Sequence, residues 1–154
     1  VLGRRPSFRP LLTAIGQEMV TSTQRRFETS TAPDGSRWVR SLAALREGRQ
    51  TLIKTARLRD SNTYNVTSTD VEIGTNMEYA GVHQDGAQIR PHTIAARRAR
   101  ALAIPGIGYR RKVNHPGSTI PARPFLGVSR QDETIIHNLT EDWMRKITAR
   151  LNHA

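Results

Sequence analysis

Apolar residues return at three- and four-residue steps near both ends of the chain and at two-residue steps in the middle, which predicts helices flanking strands. From Pro10 to Thr29, Leu11, Leu12, Ile15, Met19, Val20 and Phe27 form one face with Thr23 in the seam, while Gln17, Glu18, Gln24, Arg25 and Arg26 fall mostly elsewhere. Pro10 suits the first helical position, where its missing N–H costs nothing. Toward the other end, Ile135, Leu139, Trp143, Ile147 and Leu151 step by four behind Ser129 and Asp132, a capping-box spacing. Glu141 with Arg145 and Asp142 with Lys146 are i,i+4 pairs in the favourable order. A stripe of period four drifts around its helix, so this closing helix is expected to cross the first helix or the sheet obliquely.

Between the two helices the pattern is shorter. Thr29 to Ser36 contains Pro33-Asp34-Gly35, in which proline presets φ, aspartate can bond its own backbone and glycine tolerates positive φ. Trp38 follows as a core anchor whose indole N–H should find a backbone carbonyl. Leu42, Ala44 and Leu45 indicate a short second helix ending near Gly48, and Leu52, Ile53 and Leu58 an irregular apolar connection. Asn62 to Gly74 alternates, with a turn at Ser68-Thr69-Asp70, and predicts a β-hairpin. Met77 to His83 reads as a short helix stopped by Gly86 in a left-handed conformation. Thr93 to Ala99 is helical by its alanines, whereas Ala101–Ile104 and Tyr109–Val113 read as strands around the Pro105-Gly106-Ile107-Gly108 breaker.

A chain of 154 residues is expected to be one domain, long enough to bury roughly 70% of its unfolded surface without staples. Having no cysteine, it has no disulfide, thiolate metal site or thiol nucleophile. No apolar run approaches the ~20 residues of a membrane span, and Val1 to Pro10 is basic without a signal peptide's apolar stretch, so a soluble protein made in the cytoplasm is expected. The formal net charge is +11, and nine arginines and lysines without one acid lie between Gly86 and Gln131. Arg90, Arg97, Arg98, Arg100, Arg110, Arg111, Lys112, Arg123 and Arg130 either attract a polyanion over a Debye length of ~8 Å or form a solvated arginine-rich surface.

Enzyme motifs fail on spacing. Gly106-Ile107-Gly108 lacks the third glycine of a dinucleotide loop, and the chain has neither a Walker lysine nor a G-x-S-x-G elbow. Histidines at 83, 92, 115, 137 and 153 show no short ligand spacing, so no metal and no cofactor is expected. His83 and Asp85 could serve a nuclease as base and metal ligand, but no second carboxylate accompanies them at the spacing such chemistry needs. Pro121 and Pro124 cannot donate to a ladder and suit an edge or entry segment that Phe125 and Leu126 pin to the core; alternatively, Arg123 meets a neighbouring subunit's acid.

Two phrases carry a resemblance. Glu78-Tyr79-Ala80-Gly81-Val82-His83-Gln84-Asp85-Gly86, preceded by Ile73-Gly74-Thr75-Asn76, and Ile120-Pro121-Ala122-Arg123-Pro124-Phe125-Leu126-Gly127-Val128-Ser129 stand about 35 residues apart. With the first helix, the Pro33-Asp34-Gly35 turn and Trp38, the Leu58-Arg59-Asp60-Ser61 step and the closing helix, their order resembles the phage virion morphogenesis, or tail completion, family of Mu-like phages. Gln88 to Ser118 does not align with it.

The resemblance implies an α+β fold: a small, mainly antiparallel sheet packed by long N- and C-terminal helices, with an extended basic loop or arm over about 87–118. It implies a non-enzymatic subunit of the virion's head–tail neck that completes the tail and joins it to the head as a ring, of six copies by preference and twelve as the second choice. Neighbours would be tail-tube or connector proteins. Tyr79, Ala80, His83 and Gly86 become a structural turn with tyrosine and histidine bonded at its rim, and Arg123, Pro124, Phe125, Leu126 and Gly127 a core or subunit contact. Arg90, Arg97, Arg98, Arg100, Arg110, Arg111 and Lys112 would then face DNA passing through the lumen, without reading bases. The rival reading is a nucleic-acid-binding module or a nuclease; three phenylalanines, three tyrosines and two tryptophans offer no evident stacking platform.

Overall fold

A computed structural model describes residues 6–97 and 100–152. The long first helix, α1 (Arg9–Thr29), packs against the closing helix and the hairpin, and it carries Pro10 in its first turn as expected. Leu11, Met19, Thr23 and Phe27 of the face read from the sequence are buried along it, joined by Gly16. Arg26 is buried too, which corrects its assignment to the polar side: its charge has a partner far along the chain. The helix ends where Ser30 turns left-handed, at φ 54°.

The turn that follows behaves as its residues dictate. Gly35 N–H donates to Ala32 O, Asp34 Oδ1 accepts from Ser36 N at 2.9 Å, and Gly35 sits at φ 86°. A short helix, α2 (Leu42–Arg46), is capped by Ser41, whose Oγ accepts from Ala44 N, and a single turn, α3 (Arg57–Asp60), precedes the hairpin. The hairpin pairs β1 (Thr63–Val66) with β2 (Val71–Gly74), Tyr64 opposite Ile73 and Val66 opposite Val71, and lies on α1. Tyr64 packs so closely over Gly16 that any Cβ there would come within 2.5 Å of its ring.

After α4 (Ala80–Asp85), which starts and ends later than the predicted Met77–His83, the chain enters a long ribbon. Strands β3 (Ala87–Ile89) and β8 (Ser118–Ile120), β4 (His92–Ala95) and β7 (Lys112–His115), and β5 (Leu102–Ile104) and β6 (Gly108–Arg110) pair only in these antiparallel couples. The first two couples share one register, which sets Pro91 against Pro116 where neither could donate a ladder bond. Beyond them the register changes: Ala96 N donates to Arg111 O at 3.1 Å, and pairing resumes between Leu102 and Arg110. The tip is a proline–glycine turn: Ile107 N donates to Ile104 O, and Gly106 sits at φ 79°, the positive value required at the third position of a type II turn.

The predicted helix over Thr93–Ala99 is therefore corrected. Thr93 to Ala95 belong to a strand, because cross-strand pairing with Lys112–Asn114 outweighs alanine's helical preference; Arg98 and Ala99 lie outside the described residues. The chain is α+β, with 2-stranded antiparallel ladders in place of one continuous sheet.

The closing helix α5 (Arg130–Asn152) runs along α1. Phe8 stacks on Trp143 with ring centroids 4.9 Å apart, and Leu139, Trp143 and Ile147 are half-buried, whereas Leu151 at the far end is 67% exposed. The expected Glu141–Arg145 and Asp142–Lys146 pairs do not form; Arg145 donates to Asp142 at i,i+3, at 2.6 Å, and His137 faces Glu141. The main core sits at the C-terminal end of α1. Phe27 meets Trp38 edge to face at 5.4 Å and Phe125 at 5.1 Å, with Ala32, Leu58 and Ala80 around them.

Candidate functional site

The two sequence phrases come together as one structure. Residues 121–127 pass along the core outside any helix or sheet, bending at Leu126 and Gly127, so their backbone groups need other partners. Arg123 N donates to His83 O at 2.7 Å. Gln84, in the first phrase, uses its side-chain amide as a strand would use its backbone: Oε1 accepts from Phe125 N and Leu126 N at 3.0 and 3.1 Å, and Nε2 donates to Leu126 O at 3.1 Å. Pro124 O accepts from the Trp38 indole at 2.9 Å, as expected for that tryptophan. Arg26 donates from one nitrogen to both Phe125 O and Gly127 O, at 2.8 and 2.9 Å. Proline at 121 and 124 removes two N–H groups that would otherwise need partners.

Gly86 fits the same junction for a steric reason. At φ 77° and ψ 172° it is extended with positive φ, not in the left-handed helical conformation foreseen, and a Cβ would come within 2.8 Å of both Ala122 N and Ile120 O. Ala80 is buried in the core and Phe125 is fully buried. Gly127 sits against Pro33, where a Cβ would come within 2.7 Å of the ring.

The rim is not bonded as expected. Tyr79 is 44% exposed and touches His83 only through ring edges, at a centroid distance of 6.0 Å, and His83 Nδ1 is buried with no hydrogen-bond partner. Burial, and secondarily the charge of Arg123, hold the His83 ring below its ordinary value. Arg123 itself is 5% exposed, with Nε donating to Val39 O at 2.8 Å. Asp85 is exposed on the turn's far end. Among the described residues, no three His, Asp or Glu side chains gather as a metal cluster, and no helix is long and apolar enough to cross a membrane.

Arg26 and Asp132 carry the second junction, which sequence reasoning missed. Asp132 Oδ2 closes the expected capping box with Ser129, accepting from Ser129 N at 2.8 Å and Ser129 Oγ at 2.7 Å, and it also takes Arg26 in a buried ion pair. Burial would raise the Asp132 carboxyl; donors from Ser22 and Ser129 and the Arg26 charge outweigh it and hold the group below its ordinary value. A buried aspartate two positions into an amphipathic helix is invisible to periodicity. The capping spacing was the only signal that pointed to it.

On the ribbon, Arg90, Arg97, Arg100, Arg110, Arg111 and Lys112 are all exposed, and none forms an ion pair among the described residues; Arg98 lies outside them. Arg110 donates only to Tyr109 O. The ribbon's own side chains order it locally: Thr93 Oγ1 donates to Asn114 Oδ1 and the His92 and His115 rings stack at 5.1 Å. Tyr109 and Ile107, 76% and 58% exposed, mark its tip.

A profile of the phage virion morphogenesis family matches residues 1–145 of the chain. No curated protein and no solved structure matches it.

Proposed function

Because the chain belongs to the phage virion morphogenesis family, and so serves the assembly of phage particles, we propose that it is a structural subunit of the head–tail neck that completes the tail as a homo-oligomeric ring. The observation that carries this reading is the ribbon formed within residues 87–120, a two-stranded arm whose described residues lie largely in solvent and whose strands, among the described residues, pair only with one another. A lone two-stranded ribbon is marginal in water. Its stability is completed by docking, and a closed ring requires heterologous contacts in which one copy's projecting element meets a different surface of the next. Six copies are expected for a tail-end ring and twelve for a connector layer, next to tail-tube or connector proteins.

The ribbon's unpaired cations support a second role in the same assembly. Arg90, Arg97, Arg100, Arg110, Arg111 and Lys112 would line a lumen and lower the repulsion along passing DNA, binding phosphate without base recognition. The proposal is that the chain does no bond-making chemistry. A free nucleic-acid-binding domain would instead hold random duplex as a monomer, and a nuclease would lose metal-dependent cleavage on changing His83 or Asp85. Electron microscopy of purified particles with subunit counting tests the reading: a ring at the neck is expected, and absence from mature particles overturns it.

A further inference from the structure

Beside the junction of the two phrases, a cavity of about 290 Å³ is lined by Arg49, Lys54, Arg57, Arg123, His83 and Tyr79 among others, and by no aspartate or glutamate. Its cations are not neutralised from within. Arg123 is 5% exposed and commits Nε to Val39 O, while its two terminal nitrogens make no hydrogen bond among the described residues. Lys54 and Arg57 have no ion-pair partner among the described residues, and Glu47, which Arg49 contacts and whose charge also feels Lys54, is outside the lining. His83 Nδ1, also on this wall, is a buried polar atom without a partner. A buried guanidinium with its planar fork unoccupied is costly alone and suited to a bidentate acceptor.

We propose that this cavity is an oxyanion site, taking one carboxylate or phosphate group against the terminal nitrogens of Arg123 with Lys54 and Arg57 at its mouth. The group has two chemical sources: a free ion, or an acidic side chain of a second copy of this chain. The site does not depend on the neck assignment, since the isolated protein should bind a small oxyanion whether or not it forms a ring.

The test follows the His83 ring resonances by NMR while inorganic phosphate or acetate replaces chloride at constant ionic strength. A saturable shift is expected with at least one of them. Lys54→Ala combined with Arg57→Ala, both exposed positions, should weaken it roughly tenfold while leaving the thermal unfolding midpoint near that of the parent. If the same shift instead grows with protein concentration in chloride alone and is lost in the double variant, a carboxylate of a second copy supplies the group. No saturable shift under any of these conditions, or an undiminished one in the double variant, overturns the proposal.

Discussion

Arg26 on the first helix and Asp132 on the last form a buried ion pair across 106 residues of sequence, and the same guanidinium holds Phe125 O and Gly127 O. One side chain thus ties α1 to α5 and both to the second sequence phrase. Removing one partner of a buried pair leaves the other charge unpaired, so Asp132→Asn is expected to cost about 3–5 kcal/mol in urea denaturation. Because Asp132 is held below its ordinary value of 3.8, its contribution is complete above that pH and is lost as pH falls through the lower folded value. The variant should lose that acid-side slope.

Gly16 sets two effects against each other. Alanine would gain roughly 0.5–1 kcal/mol of helical preference, but its Cβ would come within 2.5 Å of the Tyr64 ring, which is held between α1 and the hairpin. Overpacking of this kind typically costs about 1–3 kcal/mol, so Gly16→Ala is expected to lower stability. A thermal melt showing an increase would mean that the hairpin can shift away from α1.

Gln84 is expected to be graded in its response. Gln84→Ala strands Phe125 N, Leu126 N and Leu126 O without partners, and each buried orphan costs about 1–3 kcal/mol. Gln84→Glu keeps the acceptor for the two N–H groups but sets a carboxylate oxygen against Leu126 O until it is protonated and can donate, so its loss should become the smaller at acid pH. Chemical denaturation of the two variants gives the order.

Replacing residues 91–116 with an Asn-Gly turn should leave the body folded, because Arg90 stands opposite Gly117 in the β3–β8 register and a two-residue turn can close that pair. The core of Phe27, Trp38, Leu58 and Phe125 lies elsewhere. The expected result is a nearly unchanged unfolding midpoint together with failure to assemble, read by sedimentation and by incorporation into particles.

His83 gives the chain a second pH response. Burial first and the Arg123 charge second favour the neutral ring, so protons bind the unfolded chain more readily just below the ordinary value of 6.5. Stability from this group is full above that pH and declines as pH falls toward the folded value. His83→Gln should flatten the unfolding free energy across that window in the absence of oxyanions.

Elements whose cause is local are legible in the order of the residues. The spacing of Leu11, Met19, Thr23 and Phe27 fixes which side of α1 is buried, Ser129 and Asp132 mark the start of α5, Asp34 and Gly35 make their turn, and the alternation from Tyr64 to Ile73 makes the hairpin. Each rests on contacts within a few residues, which is the range over which periodicity and turn chemistry act. Tertiary structure decided the rest. Arg26 reads as a solvated charge until Asp132 and two carbonyls are brought to it, Gln84 as a polar helix residue until residues 121–127 pass beside it, and Thr93–Ala95 as helix until Lys112–Asn114 pairs with them. In each case the deciding partner is supplied by the path of the folded chain, and a polar or helix-favouring residue changes its environment only when that distant partner offsets the cost.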